Sequence, residues 1–433
     1  MRGFLLFATI LVIFSSLRAQ ETSSPEELFD DAQYFFNRKD YKEAVFFFKK
    51  LLEVKPNNAN FNFKAGECYL NIPGQEHLAV PYFEKACLHT VPKNQYKDRD
   101  YNESKAPLHA YYYLGNAYRM AEQLESALKA YNKFIDSPYF YGNYNLAVVE
   151  QEIKSCERAK IIQDSPIDMV RTQMGEPISS SSSEFNPVIS FDNQTFVFVR
   201  GLKFYDAVFV SRLVDNQWSE PVNINPEIGS DGEYYPTGIN SNGTMILFVQ
   251  VNTDNSDIFF SQFDGQTWSK LQKLPGKVNS IANESFASFG ADDKTIYLVS
   301  NRNGGRGGKD IWISSLSESG EWSKPKNLGK TVNTKLEEES PVYCHETGAL
   351  FFSSQGHYNM GGFDIFYSHK KNNQWSIPRN VGYPLNTTRD NLNFIVNGKC
   401  NTGYYSIIDQ ESGVSDIFLI ELKSTLSIPG LYP

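Results

Sequence analysis

The sequence predicts a multidomain chain, α then all-β: N-terminal helical repeats over residues 24–163, then a five-bladed β-propeller over 167–422, closed by an N-terminal strand. Three observations predict it. A helix–turn–helix pattern of 34 residues recurs three times in the first third. A four-strand pattern then recurs at intervals of 51, 53, 54 and 52 residues, measured between Asp206, Asp257, Asp310, Asp364 and Asp416. Finally, the outer strand missing from the last repeat has its counterpart in front of the first.

The helical unit starts at Pro25. Leu28, Ala32 and Phe35 recur at helical spacing, then Ala44, Phe48 and Leu51, with the polar turn Asn37–Asp40 between and Pro56 at the end. A second copy carries Gly66, Tyr69, Ala79, Phe83 and Ala86, with one extra residue around Pro73-Gly74. The third has Tyr111, Leu114, Gly115, Tyr118, Ala127, Tyr131 and Phe134. Residues 91–107 are polar and read as an exposed loop. Residues 142–163 read as a helix covering the last repeat's apolar face.

After Pro166 the helical period stops and short alternating runs begin between Gly, Asn, Asp and Ser turns. Strands opening with Asp (DAVFVS, DIFFSQ, DIWISS, DIFYSH, DIFLIE) alternate with runs such as TFVFVR and TIYLVSN. Trp-Ser strands follow the first four, at Trp218, Trp268, Trp322 and Trp375. The fifth is absent. Residues 174–179 (MGEPIS) match 328–333 (LGKTVN) and 381–386 (VGYPLN), so the segment near Met169–Ile178 is expected to supply the last blade's outer strand. The tryptophans read as packing residues, and the repeated Asp as a turn hydrogen-bond acceptor.

Residues 1–19 read as a signal peptide: Arg2, an apolar run from Phe4 to Phe14, and a cut before Gln20. The run is shorter than an ordinary membrane span. Removing it takes the net charge from −9 to −11, which argues against nucleic acid as a partner. No cysteine follows the run, so no lipid anchor is expected there. Residues 423–433 form a tail. The five cysteines lack CxxC spacing and give no zinc site or disulfide scaffold. Cys68 and Cys87 fall on neighbouring helices, either bridged or as two buried thiols.

No catalytic motif is found: no HExxH, no GxSxG, no phosphate-binding GxxxxGK[ST]. The carboxylates Asp231, Glu233 and Glu337–Glu339 fall at blade boundaries and read as structural. No catalytic residue, cofactor or metal is expected. The loops NRNGGRGGKD and HYNMGGFD occupy equivalent places in blades three and four, giving Arg302, Arg306, His357, Tyr358 and Asn359 as a candidate binding surface.

The helical units resemble the tetratricopeptide repeat. That resemblance implies a concave groove lined by Phe29, Gln33, Phe36, Phe63, Glu67, Leu70, Tyr112, Asn116 and Arg119, open to a peptide or packed on the propeller or other parts of this chain. The blade pattern, GG-x-DI[FWY] and WS-x-P-x-N-[LV]-G, resembles the PD40 group of WD40-like propellers. Secretion signal, repeats and propeller in this order resemble the front half of an OmpA-like lipoprotein family of Bacteroidota that includes the PorE component of type IX secretion. The resemblance implies a periplasmic scaffold at the outer membrane, possible on the cell surface, partnered by an outer-membrane β-barrel and secretion or gliding subunits. The peptidoglycan-binding domain of those relatives has no counterpart after the fifth blade, so membrane association is expected through protein contacts. Two alternatives stay open: a glycan- or peptide-binding accessory of an uptake system, and a propeller enzyme.

Overall fold

The computed structural model describes residues 24–251, 255–398 and 400–423. The expected signal peptide and nearly all of the tail lie outside them. Helix α1 (Pro25–Asn37) starts on a reciprocal cap in which Ser24 and Glu27 each accept the other's backbone N–H. It packs antiparallel to α2 (Tyr41–Val54), capped by Asp40. Helices α3 (Ala59–Leu70) and α4 (Val80–Ala86) form the second pair, and α5 (Ala110–Met120) and α6 (Leu124–Ile135) the third. The small residues at the crossings are required by space. A Cβ on Gly66 would lie 2.8 Å from the Phe83 ring, and one on Gly115 would run into Tyr131. Helix α7 (Leu146–Gln163) caps the stack against α6 and buries Val149, Cys156, Ala159 and Ile162.

The β part forms five separate antiparallel sheets of four main strands each. Blade I runs from Glu184 to Asn223, blade II from Tyr234 to Lys273, blade III from Glu284 to Asn327 and blade IV from Glu338 to Asn380. Blade V combines Ile395–Val396, Thr402–Ile408 and Ser415–Leu422 with Met169–Gln173.

The expected closure by an N-terminal strand is corrected here. Met169–Gln173 pairs only with Ser415–Leu422, inside one blade, and stops short of the expected Ile178. Among the described residues no strand ladder joins one sheet to the next, so the sheets do not close on one another into a barrel-like wall. Stacked sheets meet face to face through side chains, and between neighbouring blades the backbone is joined at single bonds rather than ladders, such as Glu338 N–H to the Lys309 carbonyl at 2.9 Å and Glu284 N–H to the Ser256 carbonyl at 2.8 Å. Neighbouring blades are held by packing and by side-chain bonds such as Ser288 Oγ to the Pro341 carbonyl at 2.5 Å.

Two repeated polar devices hold each of blades I–IV together. Asn225, Asn279, Asn333 and Asn386 accept the backbone N–H of Val208, Ile258, Ile311 and Ile365 at 2.7–2.8 Å. The last three also donate to the carbonyl of the same residue. A side-chain amide thus imitates a strand neighbour. The serines of the Trp-Ser pairs accept, through their carbonyls, the hydroxyls of Ser211, Ser261, Ser314 and Ser368 at 2.6–2.7 Å. The repeated Asp serves a local turn at Asp310 and Asp364, which accept N–H groups of their preceding loops. In the other blades it differs: Asp206 accepts from the Tyr235 hydroxyl, and Asp257 pairs with Lys273.

Of the two states expected for Cys68 and Cys87 the structure has the buried thiols, and it adds a bridge elsewhere. Cys344 and Cys400 form a disulfide between blades IV and V. Cys68 and Cys87 are separate buried thiols, and burial pushes Cys87 up to about 12.

Candidate functional site

The concave face of the helices is filled by the chain itself. Residues 91–107, expected to be exposed, keep side chains such as Lys93, Lys97 and Arg99 in solvent while the segment folds back across α1 and α3. Gln33 donates to the Asp98 carbonyl at 3.1 Å, and buried Lys64 reaches the Asp98 carboxylate at 2.6 Å. The Tyr96 hydroxyl donates to Asn60 at 2.5 Å. Tyr101 lies against Phe29 and Phe61, with the Lys55 ammonium 4.1 Å from its ring centre. Phe63 is buried edge-on to Tyr96, and Glu67 pairs with Lys64. Burial raises the Glu67 carboxyl against the opposing pull of Lys64. Phe36 packs edge-on to Phe48 under Lys64. The polar composition of this loop suggested solvent, but Tyr96 and Tyr101 are apolar anchors that only burial uses.

The other end of the groove meets the propeller. Arg119 is buried, donates to the Thr388 carbonyl and pairs with Glu152 at 3.2 Å. Arg389 donates to the Met120 carbonyl at 3.2 Å. Asn116 accepts from Tyr131, which also packs on Tyr112. Leu70 lines a cleft shared with Arg389 and Ile408. The inserted Pro73-Gly74 turn packs on blade V, where a Gly74 Cβ would lie 2.6 Å from Ile408.

The two glycine loops have different fates. In blade IV, Asn359 is buried and its Oδ1 accepts from Ser155 at 3.0 Å and Arg158 at 3.1 Å, both on α7. Arg158 also lies over the Tyr358 ring, and Met360 joins the core under α7. His357 bonds the Val332 carbonyl at 2.8 Å, and burial lowers its pKa. These residues form a joint within the chain, for which Gln151, Ser155 and Arg158 at helical spacing were the overlooked signal. In blade III, Arg302 is an internal strut that reaches Glu284 at 2.9 Å, while Arg306 is exposed.

An open site remains at the propeller axis. In every blade the inner strand begins at the same end of the ring, where the second and third strands connect. There a cavity of about 360 Å³ is walled by Pro187, Pro236, Phe286 and Phe363. Inner-strand pairing slips near this level in blades I to IV, and Asn186, Ser340 and Asn393 take φ values of 48°, 49° and 60°. The Ser340 hydroxyl donates to Asn393 Oδ1 at 2.7 Å, and Asn393 Nδ2 donates to Asn186 Oδ1 at 3.2 Å. Lys309 and Glu339 neutralise each other at 2.6 Å, with Ser285 also donating to Glu339. Glu338 is turned inward and held by Thr334 and Ser354. Of the acidic run, Glu338 thus supplies an internal latch and Glu339 an ion pair, while Glu337 lines the cavity. Around this end Phe204, Tyr205, Ile281 and Leu336 are exposed, Phe204 by 86% and Ile281 by 97%. Among the described residues no group of three or more His, Cys, Asp or Glu is placed to hold a metal ion, and no helix is long and apolar enough to cross a membrane.

A tetratricopeptide-repeat family model matches residues 109–138. No curated protein matches the chain. Among solved structures, TolB from Acinetobacter baumannii is 12% identical, with a TM-score of 0.36, over 57% of this chain and 56% of its own, less than two thirds of TolB. α-L-Arabinofuranosidase from Lactobacillus brevis is 12% identical over 60% of this chain and 93% of its own, with a TM-score of 0.37. The first TPR domain of the human RPAP3 protein is 20% identical over 31% of this chain and 99% of its own, with a TM-score of 0.24. The chain thus combines tetratricopeptide-type helices, three pairs and a cap, with a propeller of five sheets.

Proposed function

We propose that this protein is an exported, non-catalytic scaffold that works in the periplasm, peripheral to an outer membrane, and gathers protein partners. The observation that carries this reading is the joint between the modules. The helical stack is joined to blades IV and V through Arg119, Arg158 and Asn359. The concave groove is spent on the chain's own loop, while large hydrophobic side chains stand exposed on both modules, such as Leu88 and Tyr141 in the helical part and Phe204, Ile281 and Ile377 on the propeller. Where such side chains lie together they offer docking surfaces. Export is supported by the N-terminal apolar run and by the Cys344–Cys400 bridge, since disulfides persist in oxidising compartments.

The finer reading assigns the scaffold to type IX secretion or gliding machinery, with an outer-membrane β-barrel as partner. Its support is the order of modules and the blade motifs. Affinity purification of the tagged protein from gently solubilised envelopes of its native host tests both levels. Co-purification of a β-barrel with secretion or gliding subunits is expected. Recovery with polysaccharide-uptake proteins would move the protein to nutrient uptake, and recovery alone would end the stable-scaffold reading.

A further inference from the structure

We infer that the free end of the helical stack, the outer face of α1 and α2, is the surface through which two copies of this chain associate. The inference goes beyond the scaffold reading and does not depend on which outside partner is gathered.

The first ground is apolar surface. A stack of helical repeats needs its terminal units covered or polar on the outside. Helix α7 covers the last pair, whereas among the described residues no helix covers the first. Its outer face is a ladder of aromatic rings. Tyr34, Phe35, Phe47 and Phe46 run across both helices, with successive ring centres 5.3–5.6 Å apart. Tyr34 is 54% exposed, Phe46 49% and Val54, one turn beyond Lys50, 62%. These side chains adjoin one another, and a contiguous apolar patch of this kind marks an interface.

The second ground is charge, and it selects the occupant. Glu27, Asp31, Tyr34 and Arg38 are spaced i, i+4, i+7 and i+11, so they share one stripe of α1. Glu43, Phe47, Lys50 and Val54 share the matching stripe of α2. The helices are antiparallel, so Glu27 and Asp31 lie at the same end of the face as Lys50, and Arg38 at the same end as Glu43. None of these five charged groups has an ion-pair partner among the described residues. Both cations are held on the face: Arg38 donates to the Tyr34 hydroxyl at 2.6 Å, and the Lys50 ammonium lies 4.2 Å from the centre of the Phe46 ring. The signs therefore alternate around the four corners of the face. A two-fold axis in the plane of the face, along the helices or across them, sets every corner against one of opposite sign. Along the helices, Asp31 meets Lys50 of the second copy; across them, it meets Arg38 of the second copy. Such self-complementarity is what a contact between identical surfaces requires. An anionic lipid surface or a partner of one charge would meet repulsion alongside attraction, because three acids are interleaved with two bases.

The test is sedimentation equilibrium of the purified protein, starting at Gln20, over a concentration series. A reversible dimer at micromolar concentration is expected. Tyr34→Glu/Phe46→Glu, at two half-exposed positions, should give a monomer with an unchanged thermal midpoint. Asp31→Lys alone should weaken association by about tenfold, since each copy then sets like charges together. Adding Lys50→Glu or Arg38→Glu, whichever lies opposite, should restore it, and a merely structural role for Asp31 would give no such rescue. Tyr139→Ser, at an exposed aromatic between α6 and α7, should change nothing. A monomer at every concentration, a dimer that survives the Tyr34/Phe46 variant, an Asp31→Lys variant that associates like the parent, or a loss rescued by neither reversal would overturn the inference. Because the experiment uses purified protein, its failure is separable from failure of the envelope purification.

Discussion

Blades III and V are built on one plan and held by different means. Gly175, Gly329 and Gly382 all have positive φ, and their carbonyls accept the N–H of the residue four places on: Ser179, Asn333 and Asn386. In blade III that residue is the amide latch, which bonds both backbone groups of Ile311. In blade V it is Ser179, whose buried hydroxyl has no partner. Blade III uses Ser314 to hold its Trp-Ser turn, whereas blade V has Ile420 at the equivalent place. Blade III is continuous in sequence; blade V takes its outer strand from residues more than two hundred positions away.

The lesson is that blade V, poorer in local ties, is supported from outside. The Cys344–Cys400 bridge fastens it to blade IV. The Pro73-Gly74 turn packs on Ile408, and Arg389, just before its inner strand, bonds the end of α5. The helices thus dock where the ring needs support.

Four perturbations sharpen this contrast. The largest effect is expected from Asn333→Leu, which strands the buried N–H and C=O of Ile311 and should cost about 2–5 kcal/mol in urea unfolding. A loss under 0.5 kcal/mol would show that the latch is incidental. Replacing Cys344 and Cys400 with serine should cost about 2–4 kcal/mol, given the chain length the bridge spans. Dithiothreitol should lower the midpoint of the parent protein and leave the variant unmoved.

The third concerns pH. Burial pushes the carboxyls of Asp364 and Glu338 in blade IV up to about 7. An unfolded carboxyl titrates near 4, so the folded state holds extra protons between about pH 4 and 7. Their contribution is complete below the unfolded value and is lost as pH rises through 7. Unfolding at pH 5.5 should need more urea than at pH 8, by on the order of 1–3 kcal/mol. Asp364→Asn should flatten the profile; an unchanged slope would remove Asp364 from the account. The smallest effect has the opposite sign. Ser179→Asn installs the missing latch in blade V and should stabilise by about 1 kcal/mol.

The repeat plan was legible because period and alternation are properties of a chain. The Asp-opened strands and the match of MGEPIS with VGYPLN both appear as equivalent geometry. The amide latch stood in LGKTVN, yet an Asn before a turn reads equally as a turn former. The disulfide joins two blades, and no local pattern announces a pairing across 56 positions. Sequence placed Gln33, Phe63 and Arg119 on one face, but what covers that face is a tertiary matter. The axial cavity was the least legible, since Asn186, Ser340 and Asn393 come from three blades and match no motif.

The most direct measurement is a comparative envelope purification of three tagged forms: the parent, the Phe204→Glu/Ile281→Glu variant, and the groove variant Gln33→Ala/Lys64→Met. Partners retained by the parent and the groove variant, and lost from the propeller variant, are the predicted result. Partners lost from the groove variant and retained by the propeller variant would contradict the account and return the docking surface to the helices.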